Sequence, residues 1–424
     1  MKKVTFYSIV VWVIGILFYL FEFFLGVFTG TIATDIMTTF SINAEQFSLI
    51  GIGYYIIYGI MQIPVGLIVK RFGARMVLTF ACSICTLGTF WFSFTSSFFP
   101  AILSRMMMGF GASFAFVSML VLLLNWFPQK HFGFLSGLSQ MLGTVGGILA
   151  GGPMAFLLNA FDGDWQLILR GLGFVGIIIT ILIYTVVRNK PPRTSGALIP
   201  LTYSQSIKKD FLNLMKRKKV WCVVFYAGLV YCSAPLLGAF WGTTFLVSKG
   251  YSKEIAATII SLVWVGMAFG SPFWGWLSGR IKKRKMVLVT AAAVGLLSSS
   301  VLFFPIKWEW LLCVMIFGLG LGAAGQALSF ASATEIVPRS IHAACIGMNN
   351  CMIIAFVSFV PPFSSSIIQS GSVIVNGVTT YPEASFFKGL MIVPIAFFLA
   401  LIVSLFKIKE TFCRQQHEVH GITL

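Results

Sequence analysis

Twelve unbroken apolar runs, each long enough to cross a bilayer as a helix, leave this chain few folds to choose from. About 20 apolar residues span the hydrocarbon core. The runs fall at 6–31, 47–69, 75–97, 99–125, 132–160 and 166–187, then at 219–247, 254–278, 286–306, 310–333, 342–370 and 386–406. Lipid gives backbone groups no hydrogen-bonding partner, so a spanning segment is a helix or part of a closed barrel. Barrel strands alternate apolar and polar residues, and these runs do not. The expected class is all-α integral membrane, with twelve transmembrane helices. Charged residues make up 10% of the chain, against roughly 25% in soluble domains.

The formal net charge of +18 has two explanations, a nucleic-acid partner or membrane topology. Placing the N-terminus in the cytoplasm puts 24 of the 30 Lys and Arg residues on inner segments, nine of them in Arg188–Lys219. The outer loops instead carry Asp35, Glu45, Asp162, Asp164, Glu254, Glu309 and Glu383. This positive-inside pattern accounts for the charge without nucleic acid, and it places both termini in the cytoplasm of a bacterial inner membrane. The run that follows Met1-Lys2-Lys3 is too long for a signal peptide and is read as the first span. Most of the eight cysteines, Cys82 and Cys85 included, lie within apolar runs, where they act as small fillers. His131 and His342 each open a span, and no phosphate-binding G-x-x-x-x-G-K-[ST] loop is present. Neither a metal, a cofactor nor ATP hydrolysis by this chain is expected.

The chain also repeats itself. Gly66, Arg71 and Arg75 recur as Gly275, Arg280 and Arg284 at a constant offset, each set on the loop after the second span of its half. The expected organisation is a six-helix bundle over 1–188, a basic linker over 189–218 and a second bundle over 219–424.

With these residues in view, a family resemblance can be stated. Gly66 to Arg75, G-L-I-V-K-R-F-G-A-R, resembles the loop signature of the major facilitator superfamily at Gly66, Arg71, Gly73 and Arg75. The family has an acid where this chain has Lys70, and the second copy has Gly279 there. Arg105 in Leu103–Gly111 is similar to the pattern of the fourth family span. Gly143–Pro153 resembles the Gly-Pro motif of many family exporters, and Glu335–Pro338 the loop before the eleventh span. Tyr19–Gly26, Tyr54-Tyr55, Tyr58, Gln62-Ile63-Pro64 and Gly66 resemble a branch of nutrient transporters that includes phagosomal transporters of intracellular bacteria and lysosomal dipeptide carriers. The resemblance implies two pseudo-symmetric six-helix bundles that rock about a central cavity, the loop signatures acting as gates.

Two charges stand out inside the spans. Glu22 is the one acid deep in a run, and Arg105 is the clearest base. Each costs about 2.5–3.5 kcal/mol at a bilayer centre and should face protein or water. The family's cavity is lined by the first and fourth spans of each half, which places Glu22 and Arg105 within possible reach of each other. The expectation is an ion pair in the empty site, opened by substrate or a proton; the other reading is a fixed pair that joins two helices. Tyr19, Tyr54, Tyr58, Gln62, Tyr226, Tyr231, Trp241, Gln326, Asn349 and Asn350 are candidates to line the site, or else packing residues.

One acid and one base suit a zwitterion, so the expected activity is proton-coupled uptake of an amino acid, short peptide or related metabolite by a monomeric carrier. A ferric siderophore importer and a drug or metabolite exporter are the alternatives. A membrane enzyme would need a catalytic cluster at one face, which is absent. A channel would draw its pore ring from several subunits, whereas the internal repeat points to one self-contained carrier.

Overall fold

The computed structural model describes residues 5–62, 64–127, 132–189, 215–304, 308–338, 342–375 and 378–413. Most of the basic linker, together with Lys130, His131 and Arg339, therefore lies outside the described residues. The chain is helical almost throughout. The first half runs α1 (Phe6–Val27), α2 (Ala33–Phe40), α3 (Ala44–Met61), α4 (Val65–Phe72), α5 (Ala74–Phe94), α6 (Phe98–Ala112), α7 (Ala115–Trp126), α8 (Phe132–Leu149), α9 (Gly152–Ala160) and α10 (Trp165–Val186). The second half runs α11 (Lys218–Tyr231), α12 (Gly242–Ser248), α13 (Lys253–Ile281), α14 (Arg284–Val301), α15 (Glu309–Ala323), α16 (Gly325–Glu335) and α17 (His342–Ser370). A hairpin of β1 (Val373–Val375) and β2 (Val378–Thr380) leads to α18 (Glu383–Leu390) and α19 (Ile392–Phe406).

Local chemistry sets several of these ends. Thr5 caps α1 reciprocally with Ser8, and Asn43 caps α3 reciprocally with Gln46. Asp164 accepts from the Leu167 amide at the start of α10. Pro153 sits in the first turn of α9, where its missing N–H is no loss. It marks the break between α8 and α9 that the Gly143–Pro153 run foreshadows.

Among the described residues, ten segments are helical, long and apolar enough to cross a membrane. The other two expected spans are shorter. One is split into α3 and α4 next to Pro64, and the other is the 18-residue α14, which opens on two charged residues.

The described chain forms two compact units, and each draws on both halves of the sequence. The first comprises Met1–Ile199, Leu237–Ser261 and Pro361–Gly389; the second comprises Pro200–Leu236, Leu262–Val360 and Leu390–Leu424. In the first unit α1 packs on α8, α3 on α6, and α5 on both α6 and α10. In the second, α14 packs on α15 and α19, and α11 on α16 and α19. Glycine makes the α1–α8 contact possible. A Cβ on Gly146 would stand 2.1 Å from the Leu20 carbonyl oxygen, and one on Gly143 would stand 2.1 Å from the Tyr19 ring. Without a hydrophobic drive between helices in lipid, such close packing is a main source of association.

The backbone also carries the repeat. Gly73 (φ +80°) and Lys282 (φ +52°) hold left-handed conformations in the turns after α4 and α13, and they are related by the offset that relates Arg75 to Arg284. A residue of positive φ thus stands at corresponding places in the two halves.

Gly146→Val should force α1 from α8 and cost about 1–3 kcal/mol or more, read as a lower melting temperature of the purified protein. Gly275→Ala, where nothing lies within 4 Å of the added methyl, should leave melting unchanged or raise it slightly.

Candidate transport site

Among the described residues only two charged side chains are buried, Glu22 (4% exposed) on α1 and Arg105 (0%) on α6. Both belong to the first unit. Between their helices in sequence comes α3, which is joined to α1 by two phenols. The Tyr54 hydroxyl donates to Glu22 Oε2 at 2.8 Å, with the Glu22 carbonyl oxygen 3.0 Å away. The Tyr55 hydroxyl donates to the Gly26 carbonyl at 3.0 Å.

Arg105 is held differently. Its Nη1 donates to the Leu25 carbonyl and lies 3.5 Å from Met108 Sδ. Its guanidinium carbon stands 4.8 Å from the centre of the Tyr54 ring and 5.1 Å from that of Phe28. The remaining donors, Nε and Nη2, are buried with no hydrogen-bond partner.

The expected ion pair does not form: no contact within 4.0 Å joins Glu22 to Arg105. The physical reason is Tyr54, whose hydroxyl occupies the acid and whose face occupies the base. Nor do the two groups meet in a wet gap, because both are closed to solvent in this conformation. The outcome is a three-residue centre of Glu22, Tyr54 and Arg105, in which the cation lacks a counter-ion.

The other candidates scatter. Tyr58 stacks on Tyr54 with centroids 6.2 Å apart and rings 19° from parallel, which extends the centre along α3. Gln62 caps the end of α3, its Nε2 buried without a partner. Tyr19 turns to α7 and α8 instead, its ring 5.2 Å from Phe116 and against Gly143. Trp241 is fully buried in an aromatic cluster with Phe47, Tyr381 and Phe386, and it donates to Ser365 Oγ at 2.8 Å. Tyr226, Tyr231, Gln326 and Asn349 belong to the second unit. There Tyr226 donates to the Leu288 carbonyl at 2.7 Å, and Asn349 Nδ2 donates to Ser329 Oγ at 2.8 Å, while Asn349 Oδ1 is buried without a partner.

The two loop signatures are built alike around their last arginine. Arg75 Nε and Nη2 donate to the Tyr184 carbonyl at 3.0 and 2.6 Å, and the Arg75 amide donates to Asn189 Oδ1 at 2.8 Å. Arg284 Nε and Nη2 donate to Glu335 Oε1 at 3.1 and 2.9 Å, Nη1 donates to Ser278 Oγ at 3.0 Å, and the Arg284 amide donates to Glu410 Oε1 at 2.6 Å. In each copy a side chain from beyond the last helix of its half accepts from the arginine amide in the first turn of the helix that follows the loop. Arg71 and Arg280 lie over Phe72 and Trp276. Gly66 and Lys70 lie on α4, and the surroundings of the Lys70 side chain fall outside the described residues.

Leu25, Phe28, Met108 and Tyr55 were not foreseen as parts of the site. Leu25 stands about one turn beyond Glu22 and Met108 about one turn beyond Arg105, so helical spacing marks these two. Leu25, however, contributes a main-chain carbonyl, which no residue type announces.

The sequence profile of the Major Facilitator Superfamily matches residues 11–362 and again 236–413. The hexuronate transporter of Bacillus subtilis is 25% identical over 283 residues, 64% of this chain and 65% of that protein. The match thus spans a little under two thirds of that relative's length. The hexose-6-phosphate:phosphate antiporter of Salmonella typhimurium is 23% identical over 343 residues, 74% of this chain and 73% of that one. Among solved structures, a nucleoside transporter shares the fold with a TM-score of 0.75 at 16% identity, over 94% of this chain and 99% of that one. The chain belongs to the major facilitator superfamily. It is a multi-pass membrane protein of that fold.

Removing the Tyr54 hydroxyl leaves the buried Glu22 carboxyl without its side-chain donor. Tyr54→Phe should therefore lower the melting temperature, by the equivalent of about 1–3 kcal/mol. Glu22→Gln, whose amide oxygen can still accept from Tyr54, should cost less.

Proposed function

We propose that this transporter carries a small organic anion with a single carboxylate, of sugar-acid size, by alternating access with proton coupling at Glu22. The observation that carries the reading is Arg105. A guanidinium with no exposure, no acid within 4.0 Å and two idle N–H donors is an anion receptor in want of an anion. Its planar fork suits a carboxylate, which can take two parallel hydrogen bonds. The hexuronate named for one relative fits this class, while the hexose phosphate named for another shares only its size and negative sign. A single buried cation favours one negative charge over the two of a phosphate ester or the several of a ferric siderophore.

A zwitterionic amino acid or peptide needs both charges on offer, and here Glu22 is already engaged by Tyr54. No transporter of the phagosomal or dipeptide branch is among the relatives described above. The anion reading therefore takes precedence. Glu22 keeps the role its chemistry suggests. When Tyr54 follows Arg105 onto the bound solute, the carboxylate loses its donor in a site of low dielectric, the condition under which it takes up a proton. The charge pattern of the loops supports a cytoplasmic position for both termini, and uptake is the direction that proton entry down its gradient would drive.

In liposomes, Glu22→Gln should abolish proton-driven accumulation of a hexuronate such as glucuronate while sparing its exchange across the membrane. Unchanged accumulation in this variant would remove Glu22 from coupling. Failure of the unaltered protein to exchange any hexuronate would remove the substrate assignment.

A further inference from the structure

Three helix ends of the second unit meet at a recess edged by lysines. Lys219 stands in the first turn of α11, and Lys407 and Lys409 follow directly on α19. They line the recess together with the hydroxyls of Ser332, on α16, and Thr411, over a floor of Val223 and Ile408. All belong to the second unit, in which α11 packs on α16 and α19. The lysines are exposed, and among the described residues no acid lies within 4.0 Å of any of them. The neighbouring acids are engaged elsewhere. Glu335 accepts from Arg284 and Thr411, and Glu410 accepts from the amides of Arg284 and Lys285. The recess is thus cationic without compensation. It is also small, about 10 Å³, room for a single oxygen atom. An anion can rest on it but cannot enter it.

We propose that this corner seats one anionic phospholipid, its phosphate on Lys219, Lys407 and Lys409 and its acyl chains against the apolar end of α19. Charge supplies the first half of the argument. Lysine is a mobile point charge that suits a phosphate oxygen, and basic pockets between spanning helices take lipid headgroups. The second half is the surface beside the lysines. Phe406 immediately precedes Lys407 and is 76% exposed, with Ile402 and Leu405 exposed on the turn before it. Exposed apolar surface of this kind on a spanning helix marks contact with membrane. A soluble phosphate would use the lysines alone, whereas a lipid uses both parts. The corresponding corner of the first half, where α1 begins and α10 ends, is closed by neutral bonds instead. There the Tyr7 hydroxyl donates to the Val186 carbonyl at 2.5 Å, and Trp126 Nε1 donates to the Arg188 carbonyl at 2.8 Å.

Native mass spectrometry of the purified full-length protein, titrated with lipid in detergent, tests this apart from any transported solute. The first phosphatidylglycerol should bind roughly tenfold or more tightly than the first phosphatidylcholine, and excess inorganic phosphate should not displace it. Lys219→Gln, Lys407→Gln and Lys409→Gln together should weaken that first step by roughly tenfold or more. The matching arginine set, Lys219→Arg, Lys407→Arg and Lys409→Arg, should keep it, which a variant that merely fails to fold would not do. Lys282→Gln, Lys283→Gln and Lys285→Gln remove the same charge from the turn after α13 and should leave it unchanged. Equal weakening in both glutamine sets, the sign of diffuse surface charge only, would overturn the seat. So would equal binding of the two lipids, or displacement by phosphate, the sign of a site for free anions.

Discussion

The structure turns on one electrostatic fact, a guanidinium taken wholly out of water without an acid beside it. Burying an ion alone costs several kcal/mol even after local relaxation. Arg105 recovers part of this from the Leu25 carbonyl, about 1.5–3 kcal/mol for a hydrogen bond to a charged group. The faces of Tyr54 and Phe28 add about 0.5–2 kcal/mol each. Two of its N–H donors recover nothing. Arg105 sits in the first unit with α1, α3 and α6 arranged around it. The same Tyr54 that faces the base bonds the acid on α1, so neither charge can move without the phenol. In the coupling proposed above, what binds Arg105 would be felt at Glu22 through this one shared side chain.

The fold was largely legible in the sequence because lipid imposes so narrow a choice. Length and unbroken apolarity locate the spans, and ten of the twelve are helical segments long and apolar enough to cross. The repeat was legible from Arg75 and Arg284, and the left-handed turn at Gly73 and Lys282 repeats with them. The break beside Pro64 could be anticipated from the proline, but not its effect of leaving α4 as a short separate helix. The site was half legible. Glu22 and Arg105 announce themselves because charge is rare in a span. Their failure to pair does not, because it depends on the reach of Tyr54 across from α3, a distance that helical spacing within one element cannot supply. Tyr19 shares a face with Glu22 on paper, yet its ring is drawn to α8 by the space that Gly143 leaves open.

Equivalent positions in the two halves have diverged in chemistry while keeping their geometry. Arg75 is held by carbonyl and amide oxygens, and Arg284 by the carboxylates of Glu335 and Glu410. The acid that the family places within the loop is missing from both copies, and in the second copy carboxylates arrive from α16 and from the chain beyond α19. The guanidinium bonds are charge-assisted in both copies, and in the second copy the acceptors carry charge as well. The polar centre is lopsided too. Both buried charges lie in the first half, while the described second half offers amides and phenols such as Gln326, Asn349 and Tyr226.

The most direct test compares a hexuronate with the uncharged hexose of the same shape, by their effect on the melting temperature of the purified protein. A ligand that binds only the folded state raises it in proportion to its affinity. Glucuronate should stabilise the protein and glucose should not, and the difference should vanish in Arg105→Gln. Equal responses to both sugars, or a response to glucuronate that survives the loss of Arg105, would contradict the account.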